Sequence, residues 1–168
     1  MNSTSLKAEE FEDYLCYDSS HKYSRKNLTN KVVVVGPDDV IIDGQPIHIF
    51  RTRKVEEIKW RDFGVEYVLE CTGAFLTTET AGKHDCDHVV LSAPPSKCPT
   101  TPTYIYGVNH DKYHGEKVVS ASSCTTNCMA PALKLVNDAF GVKSAHFTTI
   151  HATTGSQSVV DVITKSSR

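Results

Sequence analysis

The sequence predicts an α/β protein whose sheet is mainly parallel. Short runs rich in β-branched residues alternate along the chain with segments of helical character, an order typical of parallel sheets covered by helices. Hydrophobic residues make up 39% of the chain and charged residues 23%, as in an ordinary globular protein. A chain of 168 residues is long enough for one compact domain, or for one domain and part of another.

The first half of the chain contains a weak helical pattern, a strand and a hairpin. The helical pattern covers residues 11–17, and we expect the polar residues before it to be unstructured. A continuous β-branched run at 32–35 predicts a strand. The apolar runs 40–42 and 47–50 flank Asp43-Gly44, a turn sequence that predicts a hairpin.

The second half contains three further strand candidates and a short helix. Residues 65–70, 88–91 and 117–120 are each predicted to form a buried strand. Residues 77–83 are predicted to form a short helix, with Thr77 or Thr78 as its N-cap. This alternation of strand and helix is the basis of the parallel-sheet prediction.

A longer helix is predicted directly after the strand at 117–120. Ser122 and Ser123 are both good N-cap residues, and Gly141 is a good C-terminal stop. Between them an apolar stripe recurs at helical spacing, at Met129, Leu133, Val136, Ala139 and Phe140. Cys124 therefore falls in the first turn of this helix.

Cys124 and His151 are a candidate nucleophile and a candidate base on two different elements. The unpaired N–H groups and the dipole at a helix N-terminus favour the thiolate form of Cys124. A thiolate can attack a carbonyl carbon and form a covalent intermediate. His151 lies in the segment 146–152, which is predicted to be a strand, and imidazole is a base that titrates near neutral pH.

The remaining cysteines and histidines have simpler interpretations. Six cysteines could form three disulfides, but a chain of this length with no export signal is expected to be cytoplasmic, with reduced thiols. Cys128 shares a helix face with Cys124 and is expected to pack rather than react. The segment 84–88 holds two histidines, two aspartates and a cysteine, but its spacing matches no zinc pattern, and we predict no metal site.

Charge and hydropathy exclude two classes of partner. The formal net charge is −2, which does not favour binding to nucleic acid. No apolar run approaches the roughly 20 residues of a transmembrane helix. We therefore expect neither nucleic acid nor a membrane as a partner.

Several segments, taken together, resemble one enzyme family. Residues 122–131 read SSCTTNCMAP and residues 148–154 read TTIHATT. They resemble the active-site signature and the catalytic-histidine segment of the glyceraldehyde-3-phosphate dehydrogenase family. Further segments agree with the family in order, at 40–47, 58–60, 71–75, 91–94 and 106–109. The match runs from about residue 14 to about residue 164 and covers about half of the family's usual length.

The resemblance implies the family's chemistry and assigns roles to residues. Cys124 matches the nucleophile that adds to the aldehyde of glyceraldehyde 3-phosphate, and His151 matches its base. NAD is then expected to accept a hydride, and inorganic phosphate to release the thioester as 1,3-bisphosphoglycerate. The residues that match phosphate-binding positions are Ser123, Thr125 and Thr154. Those that match cofactor-lining positions are Arg53, Thr72, Gly73, Ser92 and Ala93.

The same resemblance implies an incomplete fold. Residues 11–122 are expected to form part of a Rossmann-type NAD-binding domain, and residues 123–168 the beginning of the catalytic domain. The nine glycines never fall into the G-x-G-x-x-G turn that holds the cofactor pyrophosphate. We therefore expect a partial chain that lacks this motif and most of the catalytic domain. By resemblance, a full-length parent is expected to be a homotetramer.

Three hypotheses about function remain open from the sequence. The first is an NAD-dependent, phosphorylating aldehyde dehydrogenase, which acts on glyceraldehyde 3-phosphate or, in a close variant, on erythrose 4-phosphate. The second is a truncated, non-catalytic paralogue that acts as a binding or regulatory protein. The third is a redox sensor based on Cys124.

Overall fold

A computed structural model describes residues 1–16, 32–96 and 100–154 of the chain. Within these ranges six strands form two three-stranded sheets, one antiparallel in the order β1-β2-β3 and one parallel in the order β4-β5-β6. The strands are β1 Val33–Gly36, β2 Asp39–Ile42, β3 Gln45–His48, β4 Tyr67–Glu70, β5 His88–Leu91 and β6 Val118–Ser120. The helices are α1 Phe11–Cys16, α2 Thr78–Ala81 and α3 Cys124–Phe140, with 3-10 turns at Ala8–Glu10, Val55–Glu57, Arg61–Phe63 and His110–Lys112.

The antiparallel sheet contains the predicted hairpin. Asp43 and Gly44 both have positive φ, 51° and 79°, which is the backbone of a tight hairpin turn and sets Ile42 opposite Gln45. The residues before α1 also pack here, because Asn2 forms a parallel bridge with Phe50 and Ala8 is buried in this sheet's core. Our expectation that the first residues are unstructured is therefore wrong: backbone hydrogen bonds to Phe50 hold them in place.

The parallel sheet confirms the α/β prediction. Val89 on the central strand β5 pairs with Val68 on β4 and with Val118 on β6, and all three are buried. Side chains on a strand alternate between the two faces of the sheet, so this face is the one that packs. Its core contains Val55, Ile58, Trp60, Val68, Ala81, Cys86, Val89, Leu91 and Val118. The short helix α2 has Thr77 as its N-cap, with the side chain accepting a hydrogen bond from the Thr80 N–H.

Helix α3 begins and ends where the sequence predicts. Ser123 is its N-cap, and Gly141 ends it with a φ of 72° that a side chain would disfavour. No residue of α3 is buried, and its apolar side chains at Leu135, Val136 and Phe140 are exposed. Cys128 is also exposed among the described residues, so the expectation that it packs is wrong. The helices of the described ranges all lack the length and apolarity needed to cross a membrane.

The strand predicted at 146–152 is not formed. Residues 145–154 have no regular secondary structure, and Phe147 and Ile150 are exposed. A strand is stabilised by hydrogen bonds to a neighbour, and no described segment pairs with this one. The β-branched residues of this segment are therefore insufficient on their own to form a strand.

Candidate active site

Three parallel strands deliver the predicted site residues to one edge of the sheet. Thr72 and Gly73 follow β4, Ser92 and Ala93 follow β5, and residues 121–124 follow β6. The carboxyl ends of parallel strands lie at the same edge, which is where ligands bind in open α/β sheets. The site residues that the resemblance selected are thus gathered by the topology, with the exceptions of Arg53, His151 and Thr154, which do not follow a strand of this sheet.

Cys124 and His151 are in direct contact. The sulfur of Cys124 lies 3.2 Å from Nε2 of His151, and Nδ1 of the same ring lies 2.7 Å from the carbonyl oxygen of Ala152. A carbonyl only accepts hydrogen bonds, so Nδ1 carries a proton and donates it to Ala152. Nε2 is then the nitrogen that exchanges a proton with the thiol. The unformed strand does not prevent this contact.

The two groups shift each other's protonation toward the ion pair. The hydrogen bond to His151 lowers the pKa of Cys124, and backbone N–H groups of Thr125 and Cys124 at the start of α3 lower it further. The pKa of His151 is raised, first by its hydrogen bond to the Ala152 carbonyl and then by the thiolate. Both side chains are exposed, so a substrate can reach the sulfur.

A group of hydroxyls surrounds the beginning of α3. The Ser123 side chain accepts a hydrogen bond of 3.1 Å from the Thr126 N–H and caps the helix. Its oxygen also lies 2.6 Å from the Thr126 hydroxyl and 3.2 Å from the Thr125 hydroxyl. Thr154 lies three residues beyond His151 on the same exposed segment. Hydroxyls beside a helix N-terminus are suited to binding an anion.

The loop after β4 is held by a buried carboxylate. Glu70 accepts hydrogen bonds from both the backbone N–H of Thr72, at 2.7 Å, and the Thr72 hydroxyl. The Thr72 hydroxyl oxygen in turn accepts from the Ala74 N–H at 3.1 Å, and Gly73 between them has a φ of 70°. Arg53 does not follow a strand of this sheet; it lies exposed on the segment after β3.

Glu70 belongs to a buried network that sequence analysis did not identify. Trp60 Nε1 donates to His84 Nδ1 at 3.0 Å, so Nε2 of His84 carries the proton and donates to Glu70 at 3.2 Å. The side chains of His84 and Glu70 are only 3% and 4% exposed. Burial lowers the pKa of His84, and the neutral ring is the form that serves both bonds. No local sequence pattern marks such a network, because its members are 10 or more residues apart.

The ring and carboxylate side chains of the segment 84–88 are engaged with residues outside this segment. Asp85 and Asp87 both pair with Arg61, at 2.8 Å each, and Cys86 is buried. His88 lies 3.3 Å from the Tyr113 hydroxyl. Within residues 1–16, 32–96 and 100–154, no three His, Cys, Asp or Glu side chains are grouped so that they could hold a metal ion.

Two family models match most of the chain. The model described as the NAD binding domain of glyceraldehyde 3-phosphate dehydrogenase matches residues 1–78. The model described as the C-terminal domain of the same enzyme matches residues 123–168. The second match begins at Ser123, the N-cap of the helix that carries Cys124.

Curated relatives carry the same enzyme name. Glyceraldehyde-3-phosphate dehydrogenase of Shimwellia blattae is 43% identical over 159 residues, which are 93% of this chain and 52% of the relative. The enzyme of Salmonella typhimurium is 42% identical, with 93% of this chain and 46% of the relative covered. The cytosolic enzyme of Leishmania mexicana is 41% identical with the same coverage. The chain spans about half the length of the curated relatives it matches.

Proposed function

The chain belongs to the glyceraldehyde-3-phosphate dehydrogenase family, and we propose that it takes part in the reaction for which the family is named. The proposed reaction oxidises the aldehyde of glyceraldehyde 3-phosphate with NAD and captures the product with inorganic phosphate as 1,3-bisphosphoglycerate. The observation that carries the proposal is the 3.2 Å contact between the Cys124 sulfur and His151 Nε2.

Cys124 performs the first step as a nucleophile. Its thiolate adds to the aldehyde carbon, a carbon–sulfur bond forms, and the carbonyl π electrons move to oxygen. His151, which holds the proton at Nε2, can protonate that oxygen and give a neutral hemithioacetal. The lowered pKa of Cys124 supports this role, because only the thiolate is nucleophilic enough.

Oxidation of the hemithioacetal needs a base and a hydride acceptor. NAD, when bound, supplies the hydride acceptor. His151 takes the hydroxyl proton on Nε2 as the carbon–oxygen double bond re-forms and a thioester results. The hydrogen bond from Nδ1 to Ala152 keeps Nε2 directed at the reacting atoms throughout. Phosphate then attacks the thioester carbon, and the thiolate of Cys124 leaves.

The residues present fit one end of the cofactor. Thr72 and Gly73 after β4 and Ser92 and Ala93 after β5 lie at the sheet edge that binds nicotinamide cofactors in related topologies. Gly73 at a φ of 70° leaves open space where a side chain would stand. The sequence supplies no G-x-G-x-x-G turn for the pyrophosphate, so the proposed contacts are those of this edge, with Arg53 as a further cofactor residue.

Phosphate groups are the proposed ligands of the hydroxyls around the thiol. Ser123 and Thr125 are assigned to the attacking phosphate, because their oxygens lie beside the N-terminus of α3. Thr154 is assigned to the phosphate of the substrate. The Ser123 hydroxyl oxygen already accepts from the Thr126 N–H, so its own O–H and the Thr125 hydroxyl are the proposed donors to the anion.

The proposal also covers the oligomeric state and the cellular location of the protein. We assign a homo-oligomeric state, which the exposed apolar side chains of α3 at Leu135, Val136 and Phe140 support. One relative is named as cytosolic, and a cytoplasmic location is proposed on that ground. The domain division at Ser123 stays a prediction. A truncated, non-catalytic paralogue is not favoured, since the thiol and the base are in contact.

The proposal is tested by following NADH formation with glyceraldehyde 3-phosphate, NAD and phosphate. Cys124→Ser should abolish turnover, whereas Cys128→Ser, which removes an exposed thiol one helical turn away, should leave it unchanged. Without phosphate, mass spectrometry should find an acyl group on the peptide that contains Cys124. Absence of NADH and of the acyl group with the unaltered chain would contradict the proposal.

A further inference from the structure

The backbone immediately before Cys124 is strained. Ser122 has a φ of 70°, in the left-handed region that residues with a side chain rarely adopt, and it is buried. Such conformations persist only where the surroundings enforce them, and they concentrate at functional sites. The position matters because Ser123, the next residue, caps α3, and Cys124 is the first residue of that helix.

The buried hydroxyl of Ser120 holds Ser122 in this conformation. Ser120, which is 1% exposed, accepts a hydrogen bond of 2.9 Å from the Ser122 N–H. The same hydroxyl donates to the carbonyl of Ala93 at 2.8 Å. It therefore joins the loop after β5 to the turn after β6. One hydroxyl oxygen can accept one hydrogen bond while it donates another, so the Ser120 hydroxyl serves both partners.

The side-chain amide of Asn127 also holds the turn between β6 and α3. Its Nδ2 donates to the carbonyl of Ala121 at 2.7 Å and to the carbonyl of Ser123 at 2.8 Å. The three residues between β6 and α3 are thus fixed by side chains from both elements. Of the two side chains that hold this turn, Ser120 is the one that also bonds to the loop carrying Ser92 and Ala93.

We propose that Ser120 is a positioning residue for the Cys124 thiol. By holding Ser122 in the left-handed conformation, it directs the first turn of α3 so that the Cys124 sulfur meets His151 Nε2 and the N–H of Thr125 together. Without the hydroxyl, the Ser122 N–H loses its partner and the turn relaxes toward an ordinary backbone conformation. The sulfur then loses the alignment that favours its thiolate. This inference rests on the proposed nucleophilic role of Cys124.

The test measures the rate of Cys124 alkylation by iodoacetamide as a function of pH. Because Cys71, Cys86 and Cys128 are also free thiols, and Cys128 shares a tryptic peptide with Cys124, fragment-ion mass spectrometry assigns the label to Cys124. Ser120→Ala should move the Cys124 profile to higher pH and lower its rate at pH 7 by on the order of three- to tenfold, since each pKa unit changes the thiolate fraction up to tenfold. Ser120→Thr, which keeps the hydroxyl, should restore the rate.

Two further variants separate positioning from mere stability. Thr101→Val removes another buried hydroxyl, one bonded to Thr78, and should leave the Cys124 profile unchanged. Ser122→Gly makes the left-handed conformation inexpensive. In that background Ser120→Ala should therefore have a smaller effect on Cys124 than in the unaltered chain.

The outcomes distinguish this inference from the proposed function. If Ser120→Ala leaves the Cys124 profile unchanged while His151→Asn shifts it, the positioning role is refuted and the proposed function stands. Equal effects of Ser120→Ala with and without Ser122→Gly would also refute it, because Ser120 would then act by packing alone. A shifted profile in Ser120→Ala with no NADH formed by the unaltered chain would support positioning and contradict the function.

Discussion

The hydrogen bonds of the buried His84 ring predict a large loss of stability when the ring is removed. His84→Leu keeps a side chain of similar size in the core but takes away both hydrogen bonds of the imidazole. Trp60 Nε1 is left without an acceptor, and the Glu70 carboxylate loses the donor to its second oxygen. The hydrogen bonds of Thr72 to the other Glu70 oxygen remain.

The size of this loss follows from Trp60 Nε1 and the Glu70 carboxylate, each of which loses a hydrogen-bond partner. A buried donor or acceptor that loses its partner costs about 1–3 kcal/mol, and a charged one costs more. The added apolar surface of leucine offsets part of this, so we expect His84→Leu to lower the free energy of unfolding by about 2–5 kcal/mol. Folded domains are stable by only about 5–15 kcal/mol, so the loss is a substantial fraction.

Urea unfolding at pH 7, followed by Trp60 fluorescence and far-UV circular dichroism, measures this change. The matched control is His114→Leu, the same substitution at an exposed position, which should change stability by less than about 0.5 kcal/mol. A His84→Leu variant as stable as the control would refute the reasoning, because the network would then contribute nothing that leucine cannot replace.

Three further predictions concern pH, a glycine and a helix cap. The pKa of His84 is lowered in the folded state, so its contribution to stability is complete above its unfolded pKa of about 6.5 and is lost as the pH falls toward the folded value. Urea unfolding at pH 7 and pH 5 should show this loss, and His84→Leu should lack that component. Gly82→Ala would place a Cβ 2.6 Å from the Thr78 carbonyl oxygen, so thermal unfolding should occur several degrees lower, and an unchanged midpoint would contradict the clash. Ser123→Ala removes the cap of α3 and should lower the free energy of unfolding, measured in urea, by about 1 kcal/mol. An unchanged free energy would show that the Thr126 N–H finds another acceptor.

Local patterns were sufficient to predict the elements that position the thiol. The β-branched run at β5 and the sequence from Ser123 to Gly141 each encode their own structure, through strand propensity in one case and through cap, apolar spacing and stop residue in the other. Cys124 lies in the first turn of α3 as predicted. These features depend on residues close together in the chain, which is why sequence alone is informative about them.

The features that sequence analysis missed depend on distant neighbours. The segment around His151 has strand propensity, yet a strand forms only beside a partner, and none of the described segments supplies one. Ser122 was predicted as a possible cap but instead adopts a left-handed conformation, because the Ser120 hydroxyl and the Asn127 amide hold it there. The bonds of Glu70 and His84 likewise become evident only when β4 and the segment after α2 are in contact.

The central claim is that Cys124 and His151 form a thiolate–imidazolium pair, and the pH dependence of Cys124 alkylation tests it most directly. An ordinary thiol with a pKa of about 8.5 is only about 3% ionised at pH 7, so a fully formed pair could raise the alkylation rate by up to about thirtyfold. We expect the unaltered chain to react at pH values below the ordinary thiol range and His151→Asn to move the profile upward with a slower rate at pH 7. Identical profiles for the two proteins would contradict the account.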